Sequence, residues 1–91
     1  MKLVKTTAIW CMSCILMNEI LKKIEKNNEK QYDTIEYDFD SDAKEIEPYH
    51  VGTILPVYIL LDADGSEVAR SVGEKNEKEL LEFFVSNGGL K

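Results

Sequence analysis

Positive charge is scarce in this chain: 11 Lys and Arg stand against 17 Asp and Glu, a net charge of −6 over 91 residues. Phosphate backbones are bound by concentrated Lys and Arg, so nucleic acid is excluded as a natural partner. The acidic balance itself reads as surface solubility. Long apolar runs are missing too. The longest, Ile54 to Leu61, is interrupted by Pro56 and falls far short of the ~20 residues that cross a bilayer. The charged start Met1-Lys2-Leu3-Val4-Lys5 leads into no apolar signal core. No membrane partner is expected, and the expected compartment is the cytoplasm. Repeats, linkers and low-complexity segments are absent, so residues 1–91 are read as one domain with a modest stability margin. A monomer without a cofactor is expected.

What is present is the composition of a folded protein, 44% hydrophobic and 31% charged. Residues of about 2 to 9 are β-branched and apolar and predict a strand. Ile15, Leu16, Glu19, Ile20, Lys23, Ile24 and Asn27 then follow helical spacing, with Leu16, Ile20 and Ile24 on the apolar face. Thr34 to Phe39 alternates with period two and predicts a second strand. Asp40, Ser41 and Asp42 are N-cap types ahead of a short helix from Ala43 to Glu47, limited by Pro48. Val57 to Leu61 is a continuous apolar run suited to a central strand. Asp62-Ala63-Asp64-Gly65 turns it back into a strand from Glu67 to Val72. Glu79, Leu80, Phe83 and Phe84 recur at helical spacing until Gly88-Gly89, with the Phe83–Phe84 pair read as core packing. The expected architecture is α/β in the order β-α-β-α-β-β-α: a four-stranded mixed sheet with helices on both faces.

The chain has only two cysteines, and they stand three apart in Trp10-Cys11-Met12-Ser13-Cys14. In a reducing compartment such a pair points to redox or metal chemistry more than to a structural staple. Its placement where a strand hands over to a helix sharpens the redox reading. A thiol at a helix N-terminus faces unpaired N–H groups and the positive end of the dipole, which favour its thiolate. Cys11 is therefore the expected exposed nucleophile. Cys14, one turn further in, is the expected resolving thiol. Met12 is expected to face solvent or a partner. Pro56 marks the start of the central strand, where proline implies special geometry such as a cis bond.

With these residues the chain resembles the thioredoxin family. The matching features are Trp10-Cys11-x-x-Cys14, Tyr37-Asp38-Phe39-Asp40, Pro56, and the stretch from Asp64-Gly65-Ser66-Glu67-Val68 to Val72-Gly73. The resemblance begins at the family's second strand, leaving the minimal form also seen in glutaredoxins. It implies a cis Pro56 beside the dithiol, a Leu55 backbone offered to a substrate strand, and Trp10 and Gly73 flanking the groove. It implies reduction of protein or small-molecule disulfides, with electrons from a reductase or another dithiol protein. The chain departs from the family in four places. Met12-Ser13 replaces the usual central dipeptides, Val51 to Pro56 is one residue longer than is typical, and no glutathione-site Gly-Gly-x-Asp-Asp motif follows the last strand.

The fourth departure is Lys5, which stands where the family carries a buried acid, six residues before the first cysteine. Glu36 aligns opposite it, where the family has a lysine. A charge pair with its direction reversed is the expectation, and Glu36 becomes the nearest carboxylate able to relay the proton of Cys14. The plainer alternative is that Lys5 snorkels to solvent. Two other function classes stay open at this point. Cys11 and Cys14, with or without Met12, suit a Cu(I) or Zn(II) module, and an altered groove suits a docking domain without turnover. His50, the only histidine, follows Pro48 and reads as a surface residue. The acids Asp38, Asp40, Asp42, Glu45 and Glu47 lack a calcium-loop pattern.

Overall fold

The computed structural model describes residues 1–91. Its elements are β1 (Lys2–Thr7), α1 (Met12–Asn27), β2 (Asp33–Asp38), α2 (Ala43–Ile46), a 3₁₀ turn (Glu47–Tyr49), β3 (Val57–Leu61), β4 (Glu67–Val72) and α3 (Glu77–Ser86). The order is the expected one, with the 3₁₀ turn added. Pro48 starts that turn instead of only ending α2, as its fixed φ and missing donor allow.

The strands form one mixed sheet in the order β2-β1-β3-β4. β1 runs parallel to β2, with Lys5 opposite Glu36. β3 runs antiparallel to both β1 and β4. All five residues of β3 are buried, because the strand is interior and both of its faces are covered. Alternation along the strands sends Leu3, Tyr58 and Leu60 to one face, where Met17 and Leu21 of α1 and Leu80 and Phe84 of α3 meet them. Val4, Val57, Ile59 and Leu61 point to the other face, towards Phe39, Tyr49 and Val51 from the chain around α2. The helical layers therefore lie on both sides of the sheet.

Four details differ from the sequence expectations. β1 ends at Thr7, not Ile9, because residues 8 to 10 form a tight turn closed by the Cys11 N–H donating to the Ala8 carbonyl at 3.1 Å. The buried stripe of α1 is Cys14, Met17, Leu21 and Ile24. Leu16 is exposed and Ile20 lies at the margin, since a helix that starts with Cys14 inward must bury positions three, seven and ten residues on. Asp42 stands at the N-cap of α2 but makes no cap bond. Its carboxylate instead accepts the Asp38 N–H at 2.8 Å, while Asp38 accepts the N–H groups of Asp40 and Ser41. Finally, α2 ends at Ile46, not Glu47, which opens the 3₁₀ turn. α3 stops before Gly88-Gly89 as expected, and the chain runs on. Gly88 turns at φ 78, Leu90 re-enters the core, and Lys91 exchanges two 2.9 Å backbone hydrogen bonds with Glu29.

Candidate active site

The turn after β1 delivers Cys11 to the N-cap of α1. Its backbone is extended (φ −94, ψ 108), and its Sγ accepts the Cys14 N–H at 3.2 Å. The first N–H groups of a helix have no partner within it, and here a sulfur takes the role usually filled by a Ser or Asp oxygen. This corrects the expectation of an exposed Cys11. The side chain folds back over the first helical turn, leaving Cys11 9% exposed and Cys14 3% exposed. Cys11 is still the more accessible of the two. The thiols are not bonded to each other. Burial pushes the Cys14 thiol up to about 12, helped by its hydrogen bond to Cys11 and opposed by one from the Ala8 backbone. At neutral pH Cys14 therefore keeps its proton.

The other residues read from the sequence gather around this pair. Leu55 belongs to the same buried cluster as both cysteines, and the Leu55–Pro56 peptide bond is cis. The Gly73 N–H donates to the Pro56 carbonyl at 2.9 Å. Gly73 sits at φ 84, where a Cβ would also meet Ile54 Cγ2 at 3.2 Å, so a side chain there is strained. Trp10 and Met12 are both exposed. The Trp10 Nε1–H donates to Asp40 at 2.7 Å and its ring meets Phe39 edge-on, which holds the indole upright beside Cys11. Ser13 donates to Glu74 at 3.0 Å.

Lys5 does not snorkel. Its side chain is 9% exposed, and Nζ lies 3.1 Å from Glu36 Oε2, whose side chain is 59% exposed. Nζ also donates to Asn18 Oδ1 at 2.9 Å. The reversed pair is thus present: a buried ammonium tied to a carboxylate at the surface. Asn18 was not singled out in the sequence, although its place one helical turn beyond Cys14 was a readable signal. Glu36, Asn18 and Cys14 line one cleft of about 470 Å³. Tyr58, opposite Lys5 on β3, is fully buried and its hydroxyl has no partner. Burial first, and then the neighbouring Cys14 and Glu36, push its ionisation upward.

Not all of the remaining residues stay outside this constellation. His50 ends the 3₁₀ turn in the left-handed region at φ 53 and lines a separate shallow cleft with Phe39 and Glu47. Asp38 and Asp42 do reach the site: they serve the turn into α2 and also line the cleft with Cys14, and hydrogen bonds from Ser41 and Asp40 hold the Asp38 carboxyl below its usual range. No third His, Cys, Asp or Glu joins the two thiols to complete a metal-binding group, and Met12 is turned outward.

Comparison with known proteins places this geometry. A family model described as Thioredoxin matches residues 1–86. No curated protein matches the chain in sequence. Solved structures do match in fold. Malaria-parasite thioredoxin-2, described as a component of protein secretion machinery, superposes with a TM-score of 0.78 at 21% identity, over 92% of this chain and 80% of its own. A mutant thioredoxin from Halobacterium salinarum gives 0.76 at 24% identity, over 93% and 72%. Trxlp from Edwardsiella tarda gives 0.76 at 25% identity, over 89% and 78%. A sequence match over almost the whole length, a shared fold, and a dithiol at the head of α1 agree with one another, and the chain belongs to the thioredoxin family.

Proposed function

We propose that this protein is a thiol–disulfide oxidoreductase that reduces protein or small-molecule disulfides. The observation that carries the proposal is the asymmetry of the two sulfurs. Cys11 Sγ accepts a backbone N–H at a helix N-terminus, where negative charge on sulfur is stabilised. Cys14, one turn deeper, holds its proton. In the proposed reaction the Cys11 thiolate attacks one sulfur of the substrate disulfide and displaces the other as a thiolate. Cys14 then loses its proton and attacks Cys11 Sγ, releasing the second substrate sulfur. The substrate gains two electrons and two protons, and Cys11 and Cys14 become a disulfide. A reductase or a second dithiol protein then returns the pair to the thiol state.

The surrounding residues support those steps. A substrate strand is proposed to lie against the Leu55 backbone and Pro56, between Trp10 and Gly73, with Met12 touching its far side. The proton of Cys14 leaves through the cleft it shares with Glu36, and Lys5 holds that carboxylate in place. A reducing compartment such as the cytoplasm suits this direction of electron flow.

The test is the reduction potential of the Cys11–Cys14 pair, measured by equilibration with a dithiothreitol series. Each ~30 mV corresponds to ~1.4 kcal/mol in a two-electron couple. A reversible couple at the reducing end of the thioredoxin-like range supports disulfide reduction. A strongly oxidising couple reverses the direction to disulfide donation, and failure to form the disulfide contradicts the proposal.

A further inference from the structure

The net charge of −6 is concentrated in one stretch of chain. From Asp33 to Glu47 there are seven carboxylates and a single lysine, Lys44, whereas the rest of the chain holds ten acids and ten bases and is neutral. That stretch is β2, the edge strand of the sheet, together with its connection into the 3₁₀ turn. It forms one wall of the dithiol cleft, where Glu36, Asp38 and Asp42 stand beside Cys14, and Asp40 holds Trp10. Lys5, the cation nearest the cleft, is buried and already paired with Glu36, which leaves the exposed Lys44 as the stretch's own counter-charge. Glu45 and Glu47 are exposed.

The ground between this wall and the thiols is apolar. Ile9, Trp10, Met12 and Ile54 are each between 60% and 89% exposed. Ile9 lines the same cleft as Cys14, and Ile54 abuts Gly73. Grouped exposure of large apolar side chains marks a surface that another molecule covers. On the cleft, Glu36, Asp38 and Asp42 stand on the β2–α2 side against Glu19 alone on the α1 side, so the charge also biases the orientation of whatever docks.

Building on the thiol–disulfide reading above, we infer that the docking partner is a protein whose disulfide lies in an apolar segment flanked by Lys or Arg. Those basic residues meet the β2–α2 wall as the segment settles over Ile9, Trp10 and Ile54. The carboxylates attract such a partner over about a Debye length, ~10 Å at moderate salt. They repel an acidic one, so discrimination appears mainly in the association rate.

The probes are two disulfide-bridged peptides with the same apolar sequence, one flanked by lysines and the other by an equal number of glutamates. Each is reduced to its two thiols as Cys11 and Cys14 form a disulfide, and the rate is followed with 2-hydroxyethyl disulfide, a small linear disulfide, as an uncharged control. At low salt the lysine peptide is expected to react at least ~10-fold faster than the glutamate peptide. The gap is expected to close at ~0.5 M salt, where screening shortens the reach of the wall. The double substitution Glu45→Lys and Glu47→Lys is expected to shrink the gap at low salt and leave the hydroxyethyl disulfide rate unchanged. Equal peptide rates at low salt, or a gap that salt does not touch, would overturn the inference while leaving the exchange chemistry intact. If neither peptide nor 2-hydroxyethyl disulfide reacts, the thiol–disulfide reading fails and takes this inference with it.

Discussion

On the face covered by α1 and α3, Leu3, Met17, Leu21, Tyr58, Leu80 and Phe84 are each no more than 2% exposed and close one core. A second cluster joins Val4, Val57, Ile59 and Leu61 of the opposite face to Leu55 and the two thiols, and Cys14 also lines a cleft open to solvent. The first is a packing problem solved with large apolar side chains and a stacked Tyr32–Phe84 pair. The second accepts polar sulfur at its centre and leaves Ile9, Trp10 and Ile54 uncovered at its rim. Sequence distance does not separate the two. Cys14 and Met17 are neighbours on one helix, yet the first belongs to the reactive cluster and the second to the packed one. The comparison teaches that the packed core and the dithiol are divided between two clusters, with α1 serving both.

The sharpest way to break this division is Phe84→Ala. Phe84 is fully buried and touches Tyr32, Tyr58 and Phe83, so its truncation is expected to cost about 3–5 kcal/mol in urea unfolding. At temperatures where the variant stays folded, its exchange rate is expected to match that of the unmodified protein. A large loss of rate at full folding would mean that the two clusters are coupled.

A second effect belongs to the dithiol cluster alone. Folding raises the Cys14 thiol from 9.0 to about 12, so the folded reduced protein holds a proton that the unfolded chain gives up. Stability is therefore unaffected by this group below about pH 9 and falls as the pH rises from about 9 towards 12. Tyr32 and Tyr58, also raised by burial, act in the same direction. The unfolding midpoint of the reduced protein is thus expected to drop more steeply over this range than that of Cys14→Ser. Equal slopes would show that Cys14 is not held protonated by the fold.

Smaller effects sharpen the picture where the clusters meet. Glu36→Gln is expected to slow the release of the second substrate thiol by up to ~10²-fold, the low end of what a positioned proton acceptor contributes. It is also expected to alter the pH profile of that step while leaving mixed-disulfide formation alone. An unchanged profile would reduce the Lys5–Glu36 pair to a structural role. Smallest of all is Tyr58→Phe. It removes a buried hydroxyl that has no partner, so stability is expected to stay level or rise by about 1 kcal/mol. A clear loss of stability would reveal a hydrogen bond at that hydroxyl.

The parts of the fold legible from sequence were those with one strong local signal. Val57 to Leu61 reads as an interior strand because nothing polar interrupts it, and Cys11 and Cys14 read as one site because three residues on a helix start place them together. Lys5 and Glu36 became visible only through a register of parallel strands, which the family resemblance supplied. The phase of α1 was harder. Apolar residues stand at Ile15, Leu16 and Ile20 as well as at Met17, Leu21 and Ile24, so two faces have helical spacing and only packing against the sheet chooses between them. The outward set includes Ile15, which lines the dithiol cleft. Asn18 escaped notice because an amide on a polar-flanked helix has no motif, and Leu90 because a residue after two glycines looks like a frayed end.

The central claim is the division of labour between the two sulfurs, and the most direct measurement of it is trapping. Cys14→Ser and Cys11→Ser are each mixed at neutral pH with a disulfide-bridged peptide, and the adducts are resolved by mass spectrometry. With Cys14→Ser, a mixed disulfide on Cys11 is expected to form rapidly and persist, because no second thiol remains to release the peptide. With Cys11→Ser, the buried and protonated Cys14 is expected to form almost none. Rapid adduct formation on Cys14, or equal reactivity of the two variants, would contradict the account.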